Sequence, residues 1–482
     1  MLGEATGRRS FLAATGAAAA GLLAGCATRG AHTAAPGRKP NVVFVLADQW
    51  RAQAAGYAGD PNLLGRTPRL DRLAAESVNF THAVSCCPVC TPYRASLLTG
   101  QYPLTTGLFL NDLCLATRAT SLAQAYAREG YDTAYIGKWH MDGHGRRAYI
   151  PPERRHGFDY WKVLECTHDY NRSLYYAGSD PAPRVWDGYD AVAQTADARA
   201  YIAGRARSAR PFVLILAWGP PHNPYDTAPA AYRTLFEADK LVLRPNVPDA
   251  RAARRDLAGY YAHIAALDAC LGGLLDAIDA AGLRENTIVV FTSDHGDMLG
   301  SQGEVRKQRP WDESIRVPLL VRDPAARAAG RALELPINTP DLMPTLLGLS
   351  GVPIPASAQG DDFSALIRGA PAPEDNPVLI ACPSPFGEWT RAKGGREYRG
   401  VRTARYTYVR DLHGPWLLYD NAADPFQLVN LVGKPEHAML QARLESALRT
   451  LLAKTADDFR PGPAYIAKWG YKVDKTGTMP DG

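Results

Sequence analysis

The chain has 482 residues, 46% of them apolar and 21% charged, the balance of a globular protein with more length than one domain core normally uses. Its formal net charge of +5 is too small to make a nucleic-acid binder, and no Lys/Arg run or aromatic–basic interleaving supports one. A weak positive bias does suit an anionic substrate.

The first segment reads as targeting. Arg8-Arg9-Ser10-Phe11-Leu12 is a twin-arginine pattern, and the Ala/Gly/Leu run from Leu12 to Gly25 is too short and too weakly apolar for a stable membrane span. Leu23-Ala24-Gly25-Cys26 has the form of a bacterial lipoprotein cleavage box. Residues 1–26 are therefore expected to be an export signal, with Cys26 lipidated and the mature protein in the periplasm or cell envelope. Cleavage elsewhere, with Cys26 incidental, is the alternative. Residues 27–39 read as a flexible tether. The eight cysteines are scattered without paired zinc spacing. A protein exported already folded needs no dense disulfide framework, so burial is the plain expectation for most of them.

The fold is expected to begin at Pro40. Asn41 to Ala47, Phe212 to Ala217 and Thr287 to Thr292 are continuous apolar, β-branched runs, the mark of strands buried on both faces. Helical patterns lie between them, notably Leu257 to Ile278. Alternating strands and helices predict an α/β fold with a large, mostly parallel sheet. The polar residues following each run then fall at the carboxyl edge, where such sheets build their sites. Composition shifts near Gly351-Val352-Pro353-Ile354-Pro355. Beyond it, Tyr398–Thr403, Tyr406–Arg410 and Trp416–Tyr419 alternate like antiparallel strands, and a helix is expected over about 435–454. The division predicted is a catalytic domain over 40–355 and a smaller α+β subdomain over 356–482.

Four blocks carry chemistry. The first is Cys90-Thr91-Pro92-Tyr93-Arg94, continuing Ala95-Ser96-Leu97-Leu98-Thr99-Gly100. The second is Gly130 to His140, ending Gly137-Lys138-Trp139-His140. Lys138 and His140 are one residue apart, so an extended strand end would point both to one face. The third is Pro220-Pro221-His222-Asn223-Pro224-Tyr225, where prolines restrict the loop around His222. The fourth is Asp294-His295 after its strand, followed by Lys307 and by Ser314-Ile315-Arg316-Val317-Pro318.

Together these blocks resemble the formylglycine-dependent sulfatases, type I sulfatases of the alkaline phosphatase superfamily, over about Pro40 to Leu431. Asn338-Thr339-Pro340-Asp341, Leu418-Tyr419-Asp420 and Asp424-Pro425 match later landmarks of that family. The resemblance implies an alkaline-phosphatase-like α/β sandwich and a sulfuric-ester hydrolase acting on a sulfated small molecule or oligosaccharide. It implies that Cys90 is oxidised to formylglycine by a formylglycine-generating enzyme. A hydrated aldehyde has two hydroxyls on one carbon: one attacks sulfur, and the other then expels sulfate, which a serine could not do. By the same matching, Arg94 orients that hydrate, Lys138 and Lys307 bind sulfate oxygens, His140 acts as a base and His222 protonates the leaving alcohol. The metal ligands implied are Asp48, Gln49, Asp294, His295 and the modified Cys90, holding one divalent cation. Ca²⁺ is the expectation, with Mg²⁺ or Mn²⁺ admitted because His295 is an imidazole. Tyr93 departs from the small residue usual before the arginine. Gln49 and His295 stand where many family members have Asp and Asn.

Two rivals remain on these residues. A phosphonate monoester or phosphodiester hydrolase of the same superfamily can share Gln49 and His295, but Lys138 and His140 count against it. A non-catalytic receptor for sulfated glycans would be expected to have lost Cys90, Arg94 or a metal ligand. Residues outside the blocks that could set specificity are Asn111, Asp112, His144, His168, Asp169, Arg309, Trp311, Glu388, Trp389 and Arg391.

Overall fold

A strand buried on both faces must feed two apolar layers at once, and the computed structural model, which describes residues 38–326 and 330–480, has that layout. The targeting pattern, Cys26 and nearly all of the tether lie outside the described residues. The principal strands are β1 (Asn41–Asp48), β2 (Asp132–Lys138), β3 (Tyr160–Leu164), β4 (Phe212–Pro221), β5 (Thr287–Ser293) and β6 (Leu319–Arg322). β1 sends Val42, Phe44 and Leu46 into one layer and Val43, Val45 and Ala47 into the other. β4 divides in the same way, Val213 and Ile215 against Leu214 and Leu216. Each such side chain contributes about 1.5–3 kcal/mol when fully buried, so a register slip of one residue would exchange whole faces.

Among the described residues the sheet has ten strands, with the order β6-β5-β1-β4-β2-β3 at its centre. The pairings from β5 through β3 are all parallel. β6 pairs antiparallel with β5, and short strands complete both edges, so the sheet as a whole is mixed. Gly137 explains one close approach. It has φ of 105°, and a Cβ there would lie 2.0 Å from the Ala217 carbonyl oxygen of β4.

Helices cover both faces. Helix α1 (Cys90–Thr99) packs on one face, helix α2 (Ala250–Ala280) on the other. α2 is long and apolar enough to cross a membrane by length and composition, but its apolar window is 78% buried inside the protein, as befits a core helix. Helix α3 (Leu342–Ser350) ends at Gly351, whose φ of 64° supplies the left-handed C-cap.

The smaller sheet is antiparallel, in the order β7 (Val378–Cys382), β8 (Tyr398–Arg402), β9 (Tyr406–Asp411) and β10 (Gly414–Asp420). The last three were legible in sequence. β7, only five residues long, was not. Helix α4 (Ala438–Lys454) buries Leu444 and Leu448 beside it. This sheet braces the site from behind. The Ala381 amide donates to the Cys86 carbonyl at 2.8 Å, four residues before Cys90. Fully buried Arg402 donates to both oxygens of Asp312, at 3.2 and 3.3 Å, on the segment that follows Lys307.

Candidate active site

Asp48 ends β1, Lys138 ends β2, His222 follows β4 and Asp294-His295 follow β5. Four parallel strands thus deliver their last polar residues to one edge. Cys90 comes from across that edge as the first residue of α1. The helix has no side-chain N-cap, and Pro92 in its first turn lacks an amide hydrogen. Of the free amides, Thr91 N–H donates to Asn111 Oδ1 at 3.1 Å. The Thr91 hydroxyl donates to the His140 carbonyl at 2.7 Å, which ties the first block to the second. Tyr93, the departure from the family pattern, is buried in the apolar core under α1.

All ten predicted site residues are buried and come together. Arg94 donates through one terminal nitrogen to Asp48 at 3.2 Å and to Asp294 at 3.1 Å, and through the other to the Lys138 carbonyl at 2.8 Å. One terminal nitrogen is therefore shared between the two carboxylates, so in this arrangement Arg94 positions the ligands. Lys138 Nζ donates to Asp48 at 2.7 Å. Lys307 Nζ lies 3.1 Å from Cys90 Sγ and 3.0 Å from His222 Nε2. Burial and Asp48 push the Cys90 thiol up, but Lys138, Lys307 and His295 outweigh them and hold it well below the ordinary thiol range.

The carboxylates respond oppositely to their surroundings. Burial raises Asp48, but Lys138, His222 and Arg94 bring it well below its usual range. Burial and the charge of Asp48 push Asp294 up. Crowded carboxylates of this kind are what a divalent cation relieves.

The donor set fits the cation that the resemblance implies. Ligand atoms of Asp48, Cys90, Asp294 and His295 all lie within 4.8 Å of one another, and ligands of one Ca²⁺ stand no more than ~5 Å apart. His295 Nδ1–H donates to the Gly296 carbonyl at 3.0 Å, which leaves Nε2 facing Cys90 Sγ at 3.2 Å. Gln49, held at φ of 69°, donates its amide nitrogen to Asp297 at 2.6 Å. Its Oε1 is buried without a hydrogen-bond partner, a carbonyl oxygen left over for a cation.

Asp297 is a residue the sequence reading passed over. One of its oxygens accepts from Gln49 and from the Tyr225 hydroxyl. The other accepts the Leu299 and Arg306 amides at 3.1 and 3.0 Å, closing the loop that presents Lys307. Its only signal in sequence was its place in Asp294-His295-Gly296-Asp297.

The two histidines differ from what their spacing suggested. β2 stops at Lys138, and His140 sits at φ of 61°, so its direction is set by a left-handed residue and not by strand alternation. His140 Nε2 pairs with Asp112 at 3.0 Å, and Asp112 takes Arg146 through both oxygens at 2.9 and 2.8 Å. Burial and Lys138 oppose charge on this ring, but Cys166 and Asp112 push it up to about 10. That direction favours the imidazolium over the neutral ring. His222 goes the other way: burial and Lys307 hold it well below its usual range. Its Nδ1–H donates to the Asn223 carbonyl at 2.8 Å, leaving Nε2 to accept from Lys307. His168 stacks on it, with ring centres 4.7 Å apart and planes 2° off parallel.

Among the other specificity candidates, Asn111, Asp112 and His168 thus reach the site. Trp311 and Arg391 are tied up elsewhere, Trp311 donating to Tyr419 at 3.2 Å and Arg391 pairing with Glu397, whereas Arg309 pairs with Glu304 at 3.0 Å, stacks over the buried Trp389 and donates to the Lys307 carbonyl. His144 and Asp169 line a cavity beside the site.

Known proteins match this arrangement along nearly the whole chain. The Sulfatase family model matches residues 40–352, and the model for the C-terminal region of N-sulphoglucosamine sulphohydrolase matches 300–454. An ulvan-active sulfatase of Formosa agariphila is 48% identical over 91% of this chain and 86% of its own length. An endo-4-O-sulfatase of Bacteroides thetaiotaomicron is 32% identical over 81% and 88%. A Bacteroides thetaiotaomicron structure solved in work on the metabolism of multiple glycosaminoglycans superposes with TM-score 0.79 at 29% identity, covering 89% of this chain and 99% of the other. A phosphonate monoester hydrolase of Agrobacterium radiobacter, 24% identical with TM-score 0.70 over 86% and 96%, shares the alkaline-phosphatase-like fold.

The Asp297–Gln49 bond can be tested by metal binding. Asp297→Asn presents a donor to the Gln49 amide and lets its carbonyl turn away. Ca²⁺ affinity, measured by calorimetry on metal-stripped protein, should fall about 10–100-fold. Asp294→Ala should lose binding and turnover altogether. Unchanged affinity in Asp297→Asn would show that Gln49 needs no such anchor.

Proposed function

This chain belongs to the sulfatase family and is a sulfuric-ester hydrolase, and we propose that its substrate is a sulfated carbohydrate, cleaved at a divalent cation beside a formylglycine made from Cys90. The single observation that carries the mechanism is the convergence of Lys138, Lys307, His140 and His222 on Cys90, opposite a donor set fitted to a cation. Relatives described as acting on ulvan and as an endo-4-O-sulfatase support the carbohydrate reading.

When bound, the cation, Ca²⁺ in our reading, supplies Lewis-acid charge at a sulfuryl oxygen, and the formylglycine supplies a hydrated aldehyde as nucleophile. Asp48, Gln49, Asp294 and His295 would hold the cation, and Arg94 fixes the two carboxylates toward it. Lys138, Lys307 and the His140 cation bind the anionic sulfate oxygens, buried where such charges are worth most. The S–O bond to the sugar breaks, and the departing oxygen must take a proton. Neutral His222 has none to give from Nε2, but that nitrogen accepts from the Lys307 ammonium at 3.0 Å. The pair acts as the acid: Lys307 gives a proton to Nε2 and becomes a neutral amine, and the imidazolium so formed gives that Nε2 proton to the leaving oxygen.

Export and anchoring complete the proposal. The twin-arginine pattern and cleavage box support a mature protein in the periplasm or envelope, held by lipid on Cys26.

Three outcomes are expected. Protein made with a formylglycine-generating enzyme should yield a Cys90 peptide lighter by the thiol-to-aldehyde exchange, and Cys90→Ala should be inert. Cys90→Ser should accept sulfate onto its hydroxyl and stall as a sulfated protein visible by intact mass. Full activity with an unmodified thiol would overturn the mechanism. Second, His222→Ala should cost at least about 100-fold in kcat on alkyl sulfates and much less on an aryl sulfate with a good leaving group. Equal losses would remove the acid role. Third, Arg8→Lys with Arg9→Lys should leave full-length protein in the cytoplasm, whereas wild-type protein should begin at acylated Cys26. A mature Cys26 without an acyl group would reject the anchor and keep the export.

A further inference from the structure

A cavity of about 470 Å³ adjoins the active site through His168, whose ring stacks on His222. Its floor is the carboxyl end of β3: Leu164 pairs with Lys138 across the sheet, and Cys166 follows it. His168, stacked on His222, forms the wall shared with the active site. The cavity lining also includes Arg146, Arg147 and Arg172. Arg146 already serves Asp112. The side chains of Arg147 and Arg172 are exposed and have no acidic or hydrogen-bonding partner among the described residues. Asp169 is the one carboxylate in the lining, and it too is exposed.

Two uncommitted guanidinium groups in one concave wall, against a single acidic side chain, make a region of positive potential. The sulfate under attack does not need it, because Lys138, Lys307 and His140 already surround Cys90. A guanidinium fork is suited to a planar carboxylate or to sulfate oxygens. A cavity of this volume has room for a sugar ring.

We propose that this cavity is a second anion subsite, in which Arg147 and Arg172 take a carboxylate or a second sulfate on the sugar next to the ester being cleaved. The proposal rests on the sulfated-carbohydrate reading above and narrows it to substrates with at least two negative groups. The subsite contributes to selection between substrates and leaves the chemistry at Cys90 unchanged.

The test uses the matured enzyme and hydrolysis of 4-nitrophenyl sulfate, which has no second anion. Competitors are added in matched pairs. One pair is a sulfated disaccharide containing a uronic acid and its carboxyl-reduced twin. The other is a neutral disaccharide carrying two sulfates and its singly sulfated twin. The wild-type enzyme should bind the more anionic member of at least one pair about tenfold more tightly. Preference within the first pair identifies a carboxylate, within the second a sulfate. The double variant Arg147→Ala/Arg172→Ala should lose that preference while its kcat/KM on 4-nitrophenyl sulfate stays within about twofold, since both side chains are on the surface. No preference in the wild type, or one that survives in the variant, overturns the subsite and leaves the sulfatase activity standing. Release of sulfate from 4-nitrophenyl sulfate but from none of the sulfated disaccharides would remove the carbohydrate reading and the subsite with it.

Discussion

Two carboxylates sealed from water, Asp48 and Asp294, are the constraint around which the rest of this protein is arranged. Neither could stay ionised in the interior alone, because desolvating a lone charge costs several kcal/mol. Arg94 spans both, and Lys138 adds a second cation to Asp48. Each partner arrives from a different part of the chain, so the charges can be balanced only once the parallel strands are in register. The same balance holds Cys90 among cations and leaves the carboxylate oxygens converging where a divalent ion would sit.

From this centre the support runs outward in two directions. Asp297 joins the metal side to the Lys307 loop, since it holds the Gln49 amide with one oxygen and the loop amides with the other. The small sheet then fixes the segments behind: Arg402 on Asp312 after Lys307, and Ala381 on Cys86 before Cys90.

What could be read in sequence follows physical lines. β1, β4 and β5 were legible because double-sided burial forces continuous apolar runs, and the residues after them fell where a parallel sheet must put its site. Cys90, Arg94, Lys138 and His222 were legible because their motif spacing is tight. The edge strands were not: Val378–Cys382 and the short edge pieces of the large sheet bury too few residues to leave a period. Asp297 was missed because its work is done through backbone amides and another side chain, which no spacing reveals. His140 reaches the same site as Lys138, but not by strand alternation, which ends at Lys138; a left-handed residue sets its direction.

That left-handed turn has a chemical consequence. At φ of 61° His140 swings its Nε2 to Asp112, which Arg146 already holds. A carboxylate fixed by a guanidinium cannot rotate away, so the imidazole is held as a cation with Nδ1 unpartnered. His222 shows the reverse: a backbone carbonyl fixes its Nδ1–H, and Lys307 faces the lone pair. Two histidines on adjacent strand ends are thus biased toward opposite protonation states, because one is partnered by an anion and the other by a cation. Opposed states of this kind let one site bind sulfate and move a proton to the leaving oxygen without either group changing place.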